Sequence, residues 1–286
     1  MAEVRDELDH RWHGSAAGPG EPAGAIVRLS GAVPAVAGTR VARSSVTAPR
    51  VSVVIPTLNE ELNLPFVFQR LPPSLHEVIV VDGHSIDRTV EMARRLRPDV
   101  RVLLQRGRGK GDALRDGFAA CTGDIIVTLD ADGSADAAEI PRFVAALANG
   151  ADFVKGSRFV QGGGSSDITA IRRIGNRVLN SVVNSLYGTR YSDLCYGYNA
   201  FWGRCLPYMR VDCDGFEVET LINIRIAQAG LVIHEVPSYE YYRIYGTSNL
   251  RAVRDGVRVL RTIALERLPA IRRARAVVRP ARTVGS

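Results

Sequence analysis

The sequence predicts an α/β protein with a mostly parallel, Rossmann-like sheet and helices on both faces. Short runs of β-branched and apolar residues recur from Val51 onward, and segments with helical spacing separate them. Four of these runs are apolar throughout, which is typical of strands that are buried on both faces. Because strands that alternate with helices form right-handed βαβ units, the order of the elements favours a parallel sheet.

The elements of the first half follow one another closely. Strands are expected at 51–57, 77–82, 100–105 and 124–130. Between them, the spacing of apolar residues predicts helices at 60–71, 87–97 and 111–121. In such a sheet ligands bind beyond the carboxyl ends of the strands, where four polar residues fall: Asn59, Asp82, Gln105 and Asp130.

The second half of the chain has a less regular pattern. A helix at 137–148 and a strand at 151–155 precede a flexible loop at 161–167. Beyond the loop we expect helices at 168–186 and 216–229, and strands at 198–202 and 231–242. The chain contains no internal repeat, so one sizeable domain is predicted.

Charge divides the chain into three segments. Of the 286 residues, 37 are Lys or Arg and 30 are Asp or Glu, which gives a formal net charge of +7. The balance is +1 over residues 1–50, −2 over 51–250 and +8 over 251–286. A nearly neutral central region argues against a nucleic-acid-binding protein with a basic working face. We expect a flexible leader at 1–50, rich in Ala, Gly, Pro and Ser, ahead of a domain at 51–250.

Cysteine usage and hydropathy predict a cytoplasmic protein. The four cysteines form no C-x-x-C pair, so they are interpreted as buried thiols in a reducing compartment. No apolar run approaches the roughly 18 residues that a membrane span needs, and no secretion signal is recognisable.

Two acids mark the end of the fourth predicted strand. Asp130 and Asp132 stand at i and i+2, one at the strand terminus and one in the following turn. Such a pair can share Mg²⁺ or Mn²⁺, because these hard cations prefer one or two carboxylates together with phosphate oxygens. The glycine-rich segment around Lys110 lacks the G-x-x-x-x-G-K-[ST] spacing of a nucleotide-binding P-loop.

Several ordered motifs together resemble a known family. They are VSVVIPTLNEELNL from Val51, EVIVVDGHSIDRT from Glu77, GRGKGDALRDGFAACTGDIIVTLDADGS from Gly107 and VKGSRF from Val154. The chain resembles the inverting nucleotide-sugar glycosyltransferases of family 2, which have the GT-A fold. Within that family it looks most like the polyprenol-phosphate (dolichol-phosphate) mannose and glucose synthases, over about residues 51–250.

The resemblance implies roles for individual residues. Contacts to the nucleotide sugar are implied for six positions: Pro56, Asn59, Glu60, Asp82, Lys110 and Asp130. Asp130 and Asp132 would hold the metal and the diphosphate. Arg158 would lie near the phosphates, and Arg243 begins a late segment that closes over the donor and acceptor. Lys110 either contacts the diphosphate or is a solvated loop residue. Arg172 and Arg173 either face an acceptor phosphate or are paired arginines on a helix surface.

The chain departs from the family pattern in two places. Gly83 replaces the second acid of the usual V-D-D-G-S motif, and His84 stands at the glycine position, which puts the choice between UDP and GDP in doubt. His84 either contacts the nucleoside or is satisfied by nearby backbone. Asn249 stands where the family usually has Lys.

The need for a catalytic base depends on the acceptor. The oxygen of a polyprenyl phosphate is already anionic at neutral pH, so it requires no base. An alcohol acceptor requires a carboxylate to take its proton. Glu217 and Glu219 lie near the position from which related enzymes present a base, but acids there can also stabilise a helix N-terminus.

The last segment predicts a basic amphipathic helix. Val253, Val257, Leu260 and Ala264 share one stripe, and Arg251, Arg254, Arg258 and Arg261 share another. The helix either lies on an anionic membrane surface, at roughly 1 kcal/mol per nearby basic residue, or packs its apolar stripe on the domain.

The leading hypothesis is a cytoplasmic, metal-dependent enzyme, with peripheral attachment at the inner face of the membrane left open. It would move mannose or glucose from a GDP- or UDP-hexose to polyprenyl phosphate. The alternative within the same fold is transfer to a soluble hydroxyl acceptor, with Glu217 or Glu219 as base. A sugar nucleotidyltransferase would need an early G-x-G-T-R segment, which is absent.

Overall fold

The computed structural model of this chain describes residues 48–247 and 251–268. Most of the predicted leader and the part of the tail after residue 268 lie outside these ranges. So does Asn249, together with the residues on either side of it. The described residues from Pro49 onward belong to one compact unit.

The first half alternates strands and helices as the pattern predicts. Its strands are β1 (Val51–Thr57), β2 (Glu77–Asp82), β3 (Arg101–Leu104), β4 (Ile125–Thr128) and β5 (Phe153–Ser157). Its helices are α1 (Leu64–Arg70), α2 (Thr89–Leu96), α3 (Lys110–Ala120) and α4 (Ile140–Ala148), the last preceded by a short 3₁₀ turn.

The second half adds the remaining elements. Its strands are β6 (Gly164–Ser165), β7 (Asn199–Trp202), β8 (Ile233–Pro237) and β9 (Tyr239–Glu240). Its helices are α5 (Ala170–Tyr187), α6 (Leu206–Met209), α7 (Val218–Gln228) and α8 (Ala252–Arg267). Within the described ranges, every helix is too short or too polar to cross a lipid bilayer.

A mostly parallel α/β sheet is confirmed. In the described chain the central sheet has seven strands in the order β3-β2-β1-β4-β7-β5-β8, and β7 alone runs antiparallel to its neighbours. Alternate residues of the strands pack on opposite faces. Val53 and Ile55 join the core beneath α4, whereas Val54 packs with Leu114 of α3 and Ile222 of α7.

The structure corrects three local predictions about strands and loops. β3 is a sheet edge rather than a buried strand, and Leu104 is 63% exposed. The single strand expected at 231–242 is two strands, because the chain leaves β5 at buried Ser238 and then pairs with β6. The loop expected at 161–167 contains β6, which forms the partner of β9.

The thiols are also less uniform than expected. All four cysteines are free, and Cys205 is buried. Cys121 and Cys213 are partly buried, whereas Cys195 is exposed. Cys195 is exposed because its side chain faces a cavity at the carboxyl edge of the sheet.

Glu77 ties three segments together at the amino end of the sheet. Its Oε1 accepts hydrogen bonds from Ser52 Oγ at 2.7 Å and from the Thr122 backbone at 2.6 Å, and its Oε2 pairs with Arg101. Burial raises the pKa of the Glu77 carboxyl, but these hydrogen bonds outweigh burial and lower it to about 2. Glu77 is therefore ionised throughout the neutral and mildly acidic range.

The lowered pKa of Glu77 predicts a specific acid sensitivity. Its contribution to stability is complete above the ordinary carboxyl pKa of 4.5 and is lost as the pH falls toward about 2. We expect the unfolding free energy of the wild type to fall more steeply over this range than that of Glu77→Gln, measured by urea titration. Glu91→Gln, on the exposed face of α2, should retain the wild-type slope. Equal slopes for all three proteins would contradict the prediction.

Candidate active site

Polar side chains gather beyond the carboxyl ends of the central strands. Asp82 ends β2, and Asp130 and Asp132 follow the end of β4. β1 pairs with β2 on one side and with β4 on the other, so the strand order reverses at β1. Crevices at such switch points are the usual ligand sites of open α/β sheets.

Lys110 joins the two sides of this crevice. It is the first residue of α3, and its Nζ lies 2.6 Å from Oδ1 of Asp130 and 2.8 Å from Oε1 of Glu219 on α7. Burial lowers the pKa of Lys110, but the two carboxylates outweigh burial and raise the pKa above its ordinary value. Lys110 is therefore charged at neutral pH and holds Asp130 to α7.

Gly197 leaves the space that this ion cluster fills. A Cβ on Gly197 would lie 2.7 Å from Nζ of Lys110 and 2.8 Å from Oε1 of Glu219, closer than real Cβ atoms come. Asn199 Nδ2 donates to the Gly197 carbonyl at 3.1 Å and to Oε2 of Glu219 at 3.2 Å. The side chain of Asn199, the first residue of β7, therefore holds Glu219 in place.

Burial and a neighbouring carboxylate destabilise the ionised form of Asp132. Burial raises the pKa of Asp132 and the neighbouring Asp130 raises it further, while the Ser134 backbone N–H and Arg243 oppose the shift. A divalent cation would relieve this repulsion, so the carboxylate pair fits Mg²⁺ or Mn²⁺. The described residues contain no cluster of three or more His, Cys, Asp or Glu suited to a metal. The remaining ligands would be phosphate and water oxygens.

Arg243 fastens the late segment over the end of β1. Its Nη2 lies 2.6 Å from Oε1 and 2.7 Å from Oε2 of Glu60, and its Nη1 lies 3.5 Å from Oδ2 of Asp132. Asn63 completes the clamp, because its Oδ1 accepts from the Tyr245 backbone N–H at 2.9 Å. Burial raises the pKa of Glu60, and the hydrogen bonds from Arg243 and Asn63 oppose that rise.

Asp82 carries an oxygen without a protein partner among the described residues. Its Oδ2 accepts from the Ser85 backbone at 3.0 Å, whereas its Oδ1 is buried and has no hydrogen bond. Asn59 joins the loops after β1 and β2, because its Oδ1 accepts from the Ile86 backbone at 2.9 Å. Pro56, near the end of β1, is partly buried beside these loops. Asp82 thus keeps one buried oxygen without a hydrogen bond among the described residues, and a nucleotide contact by Asp82 stays a prediction.

The departure from the family pattern at Gly83 has a steric correlate. A Cβ there would lie 3.0 Å from Oε1 of Gln105 and 3.1 Å from the Thr57 carbonyl, which is tighter than most real contacts. His84 is exposed, with a φ of 67°. A ligand contact by His84 stays a prediction.

Arg158 forms ion pairs with two buried carboxylates. Its Nε lies 2.7 Å from Oδ2 of Asp193, its Nη2 lies 2.9 Å from Oδ1 of the same residue, and its Nη1 lies 2.9 Å from Oε2 of Glu240. The guanidinium also lies over the Tyr196 ring, 4.9 Å from the centroid. Arg158 lines the cavity beside the acid pair, but two carboxylates neutralise its charge. A phosphate contact by Arg158 stays a prediction that this geometry does not favour.

One cavity of about 480 Å³ brings most of these residues together. Charged side chains surround one part of its wall: Lys110, Asp130, Asp132, Arg158, Arg172, Glu219, Glu240 and Arg243. Aliphatic side chains from α5, from the residues just before it and from α8 contribute another part: Ile168, Ile171, Leu179, Val253 and Val259. The cavity therefore offers both a polar, phosphate-sized site and an apolar surface.

Exposed aliphatic side chains border this apolar wall. On α5 they are Ile171, Ile174 and Val178, at 75%, 63% and 54% exposure. On α8 they are Val253, Val257 and Leu260, at 81%, 61% and 47% exposure. We call these six residues the α5–α8 apolar patch.

The packing of α8 differs from the predicted alternative. The stripe of Val253, Val257 and Leu260 does not pack on the domain, because Val259 and Ile263 occupy the buried face. These two residues contact the core formed by α5 and α7. The predicted arginine stripe is exposed.

The two candidate bases face different surroundings. Glu219 lines the 480 Å³ cavity and is held by Lys110 and Asn199. Glu217 lines a separate cavity beside α8. Tyr242 lines the first cavity, whereas the Tyr239 hydroxyl bonds with Ser166.

Sequence reasoning missed three residues of the site. Asp193 and Glu240 neutralise Arg158, and Gly197 admits Lys110. Glu240 is an isolated acid among tyrosines at the end of a predicted strand. That isolation was the signal that could have indicated a buried ion pair. Nothing in the local pattern around Asp193 or Gly197 indicates their partners, which lie far away in the chain.

Comparisons with known proteins agree with this geometry. The family model described as Glycosyl transferase family 2 matches residues 52–209. Glycosyltransferase AglJ of Haloferax volcanii is 31% identical over 213 residues, which cover 73% of this chain and 69% of AglJ. The dolichol-phosphate mannosyltransferase of Pyrococcus furiosus is 40% identical over 121 residues, or 40% of this chain and 34% of that protein.

A solved structure shares the fold. The glucosyl-3-phosphoglycerate synthase of Mycobacterium tuberculosis was crystallised with Mn²⁺, UDP and glucosyl-3-phosphoglycerate. It superposes with a TM-score of 0.61 at 25% identity, over 77% of this chain and 80% of that chain.

The raised pKa of Asp132 predicts that Asp132→Asn stabilises the metal-free protein. The amide keeps an acceptor for the Ser134 backbone N–H and removes the repulsion from Asp130. We expect Tm at pH 7 to rise by about 2–4 °C per kcal/mol gained, measured by calorimetry in EDTA. Mg²⁺ should raise Tm of the wild type more than that of the variant.

Asp124→Asn is the matched control for this substitution. Hydrogen bonds from Arg50 lower the pKa of Asp124, so removing its charge should give no increase in Tm. A lower Tm for Asp132→Asn than for the wild type in EDTA would contradict the electrostatic account of the acid pair.

Proposed function

This chain belongs to glycosyl transferase family 2 and is a nucleotide-sugar glycosyltransferase, and we propose that it transfers mannose or glucose to polyprenyl phosphate. The donor would be a GDP- or UDP-hexose, and transfer would invert the anomeric centre with the help of Mg²⁺ or Mn²⁺. One observation carries the proposal: the cavity that holds the acid pair also has an aliphatic wall bordered by the α5–α8 apolar patch. A polyprenyl phosphate needs both surfaces.

The donor would lie across the carboxyl ends of β1, β2 and β4. Asp82 offers its free oxygen to the nucleoside, and Pro56 and Asn59 border that region. Asp130 and Asp132 would hold the cation, which would neutralise the charge of the departing diphosphate. Glu60 keeps Arg243 in place beside Asp132.

The protein's own contribution to transfer would be positioning and electrostatic stabilisation. Lys110 is charged and fixed beside Asp130, and Arg243 is fixed beside Asp132. Carboxylates pair with each of these side chains, so their main effect would be to keep Asp130 and Asp132 in place before the diphosphate gains charge. The acceptor phosphate is already anionic, so its oxygen attacks the anomeric carbon without a base, and alignment supplies the remaining advantage.

Glu219 is better suited to holding Lys110 than to accepting a proton. Both of its oxygens are engaged, one by Lys110 and the other by Asn199. Glu217 lines the other cavity and is not part of the wall of the cavity that contains Asp130. We therefore assign Glu219 as a positioning residue for Lys110.

A soluble hydroxyl acceptor is the second candidate. The superposition on glucosyl-3-phosphoglycerate synthase favours it, because that protein was crystallised with a phosphorylated small-molecule product. An alcohol acceptor would require a free carboxylate, and the engagement of Glu219 argues against one at that position. The lipid phosphate therefore remains the preferred acceptor.

The α5–α8 apolar patch supports peripheral attachment to the inner face of the cytoplasmic membrane. Arginines flank it on the same helix, so an anionic leaflet matches both its charge and its apolar character. This orientation would bring the apolar wall of the cavity toward the lipid acceptor.

The proposed reaction is tested by nucleoside diphosphate release. The purified protein is incubated with Mg²⁺ and a panel of GDP- and UDP-hexoses, with or without a short-chain polyprenyl phosphate. We expect release that depends on the lipid phosphate and stops in EDTA. Release that ignores the lipid phosphate but rises with a soluble alcohol such as 3-phosphoglycerate would refute the proposed acceptor.

Membrane attachment is tested with vesicles that contain phosphatidylglycerol. Ile174→Ser combined with Val257→Ser should weaken binding about tenfold or more, because each buried aliphatic side chain contributes roughly 1.5–3 kcal/mol. Leu104→Ser combined with Val232→Ser is the control, since both residues are exposed but lie outside the patch. If the two double variants bind equally well, the patch is not the docking surface.

A further inference from the structure

A second cavity lies on the far side of Lys110. Its volume is about 770 Å³, within the range of roughly 300–1,000 Å³ that is typical of small-molecule pockets. The start of α3, the loop at 212–217 and one side of α8 form its wall. Five arginines line it: Arg108, Arg251, Arg254, Arg258 and Arg261. We call this cavity the arginine pocket.

Most carboxylates around the arginine pocket already have partners. Asp212 and Glu266 both pair with Arg225, at 3.1 Å and 2.7 Å, and Arg225 is buried outside the lining. Asp255 lies 3.8 Å from Arg258 and also accepts from the Arg251 backbone N–H at 2.7 Å. These acids leave little negative charge for the remaining arginines.

The last two acids do not change this balance. Asp214 lies 3.7 Å from Arg115 of α3. Glu217 has one buried oxygen with no hydrogen bond among the described residues. This oxygen and the guanidinium of Arg258 both lie close to Gly215. Glu217 therefore opposes at most one positive charge.

Three arginines of the pocket have no carboxylate partner among the described residues. Within residues 48–247 and 251–268, no Asp or Glu oxygen lies within 4 Å of the guanidinium of Arg108, Arg254 or Arg261. Like charges around a concave surface repel one another unless an anion joins them. Guanidinium groups bind phosphate oxygens through paired, charge-assisted hydrogen bonds.

The arginine pocket shares a wall with the active site. Lys110, Phe216 and Asp255 line both cavities. The wall is closely packed, because a Cβ on Gly109 or Gly111 would overlap the backbone of the loop at 212–217. The absence of a side chain at Gly109 and Gly111 therefore allows this close contact between the two backbone segments.

We propose that the arginine pocket binds a phosphate-bearing anion, at a site separate from the Asp130–Asp132 cavity. The anion would join α8 to the start of α3 through Arg254, Arg261 and Arg108. It would thereby brace the segments that hold Lys110 and Glu219. This proposal does not depend on the identity of the glycosyl acceptor.

The first test measures binding of inorganic pyrophosphate by calorimetry. EDTA is present, so no cation can hold pyrophosphate at Asp130 and Asp132. The wild type should bind, and Arg254→Gln combined with Arg261→Gln should bind about tenfold more weakly or worse. Arg94→Gln combined with Arg95→Gln is the control, because it removes the same charge from the exposed face of α2 and should bind as the wild type does.

The second test distinguishes a lipid headgroup from a free phosphate compound. The same three proteins are mixed with phosphatidylglycerol vesicles and with phosphatidylcholine vesicles. Loss of pyrophosphate binding in the α8 variant supports a soluble anion, whereas selective loss of phosphatidylglycerol binding alone supports a headgroup. If the α8 variant matches the control with both probes while all three proteins have the same Tm, the proposal is overturned.

Discussion

The placement of Lys110 between Asp130 and Glu219 governs the geometry of the active site. An ammonium group buried without partners would cost several kcal/mol, so the fold must bring two carboxylates to it. They come from the end of β4 and from α7, which are remote from each other in the chain. Gly197 and Asn199 then follow as requirements, because one leaves space for the cluster and the other holds Glu219. Asp130 is fixed in this way and Asp132 is placed two residues farther on.

The same reasoning explains how the two halves of the domain are joined. Arg158, which directly follows β5, is neutralised by Asp193 and Glu240, and these acids belong to the irregular second half. Arg243 reaches back to Glu60 after β1. Removing one member of such a buried pair is costly because the other charge remains without compensation. These pairs join segments of the two halves beside the 480 Å³ cavity, so the fold and the cavity are stabilised by the same contacts.

The two halves of the domain contribute different side chains to the cavity. The regular βαβ half supplies acids at the ends of β2 and β4. The second half supplies α5 and α8, whose exposed aliphatic side chains border the cavity. Helix α8 has three distinct faces. Val259 lies on the buried face, Val257 on the exposed apolar face and Arg254 on the face that bears arginines. One helix thus contributes to the core, to the apolar patch and to the arginine pocket.

The residue pattern alone was sufficient for the parallel sheet, the family and the acid pair at Asp130 and Asp132. These features depend on neighbours within a few residues: apolar runs, turn acids and short motifs. The edge position of β3, the break at Ser238 and the partners of Arg158 could not be read in this way. Each depends on which distant segment lies alongside, and charge pairing across tens of residues leaves no local periodicity. Folding also decided that Val257 faces solvent while Val259 is buried, because packing against α5 and α7 selected one face of an otherwise ambiguous helix.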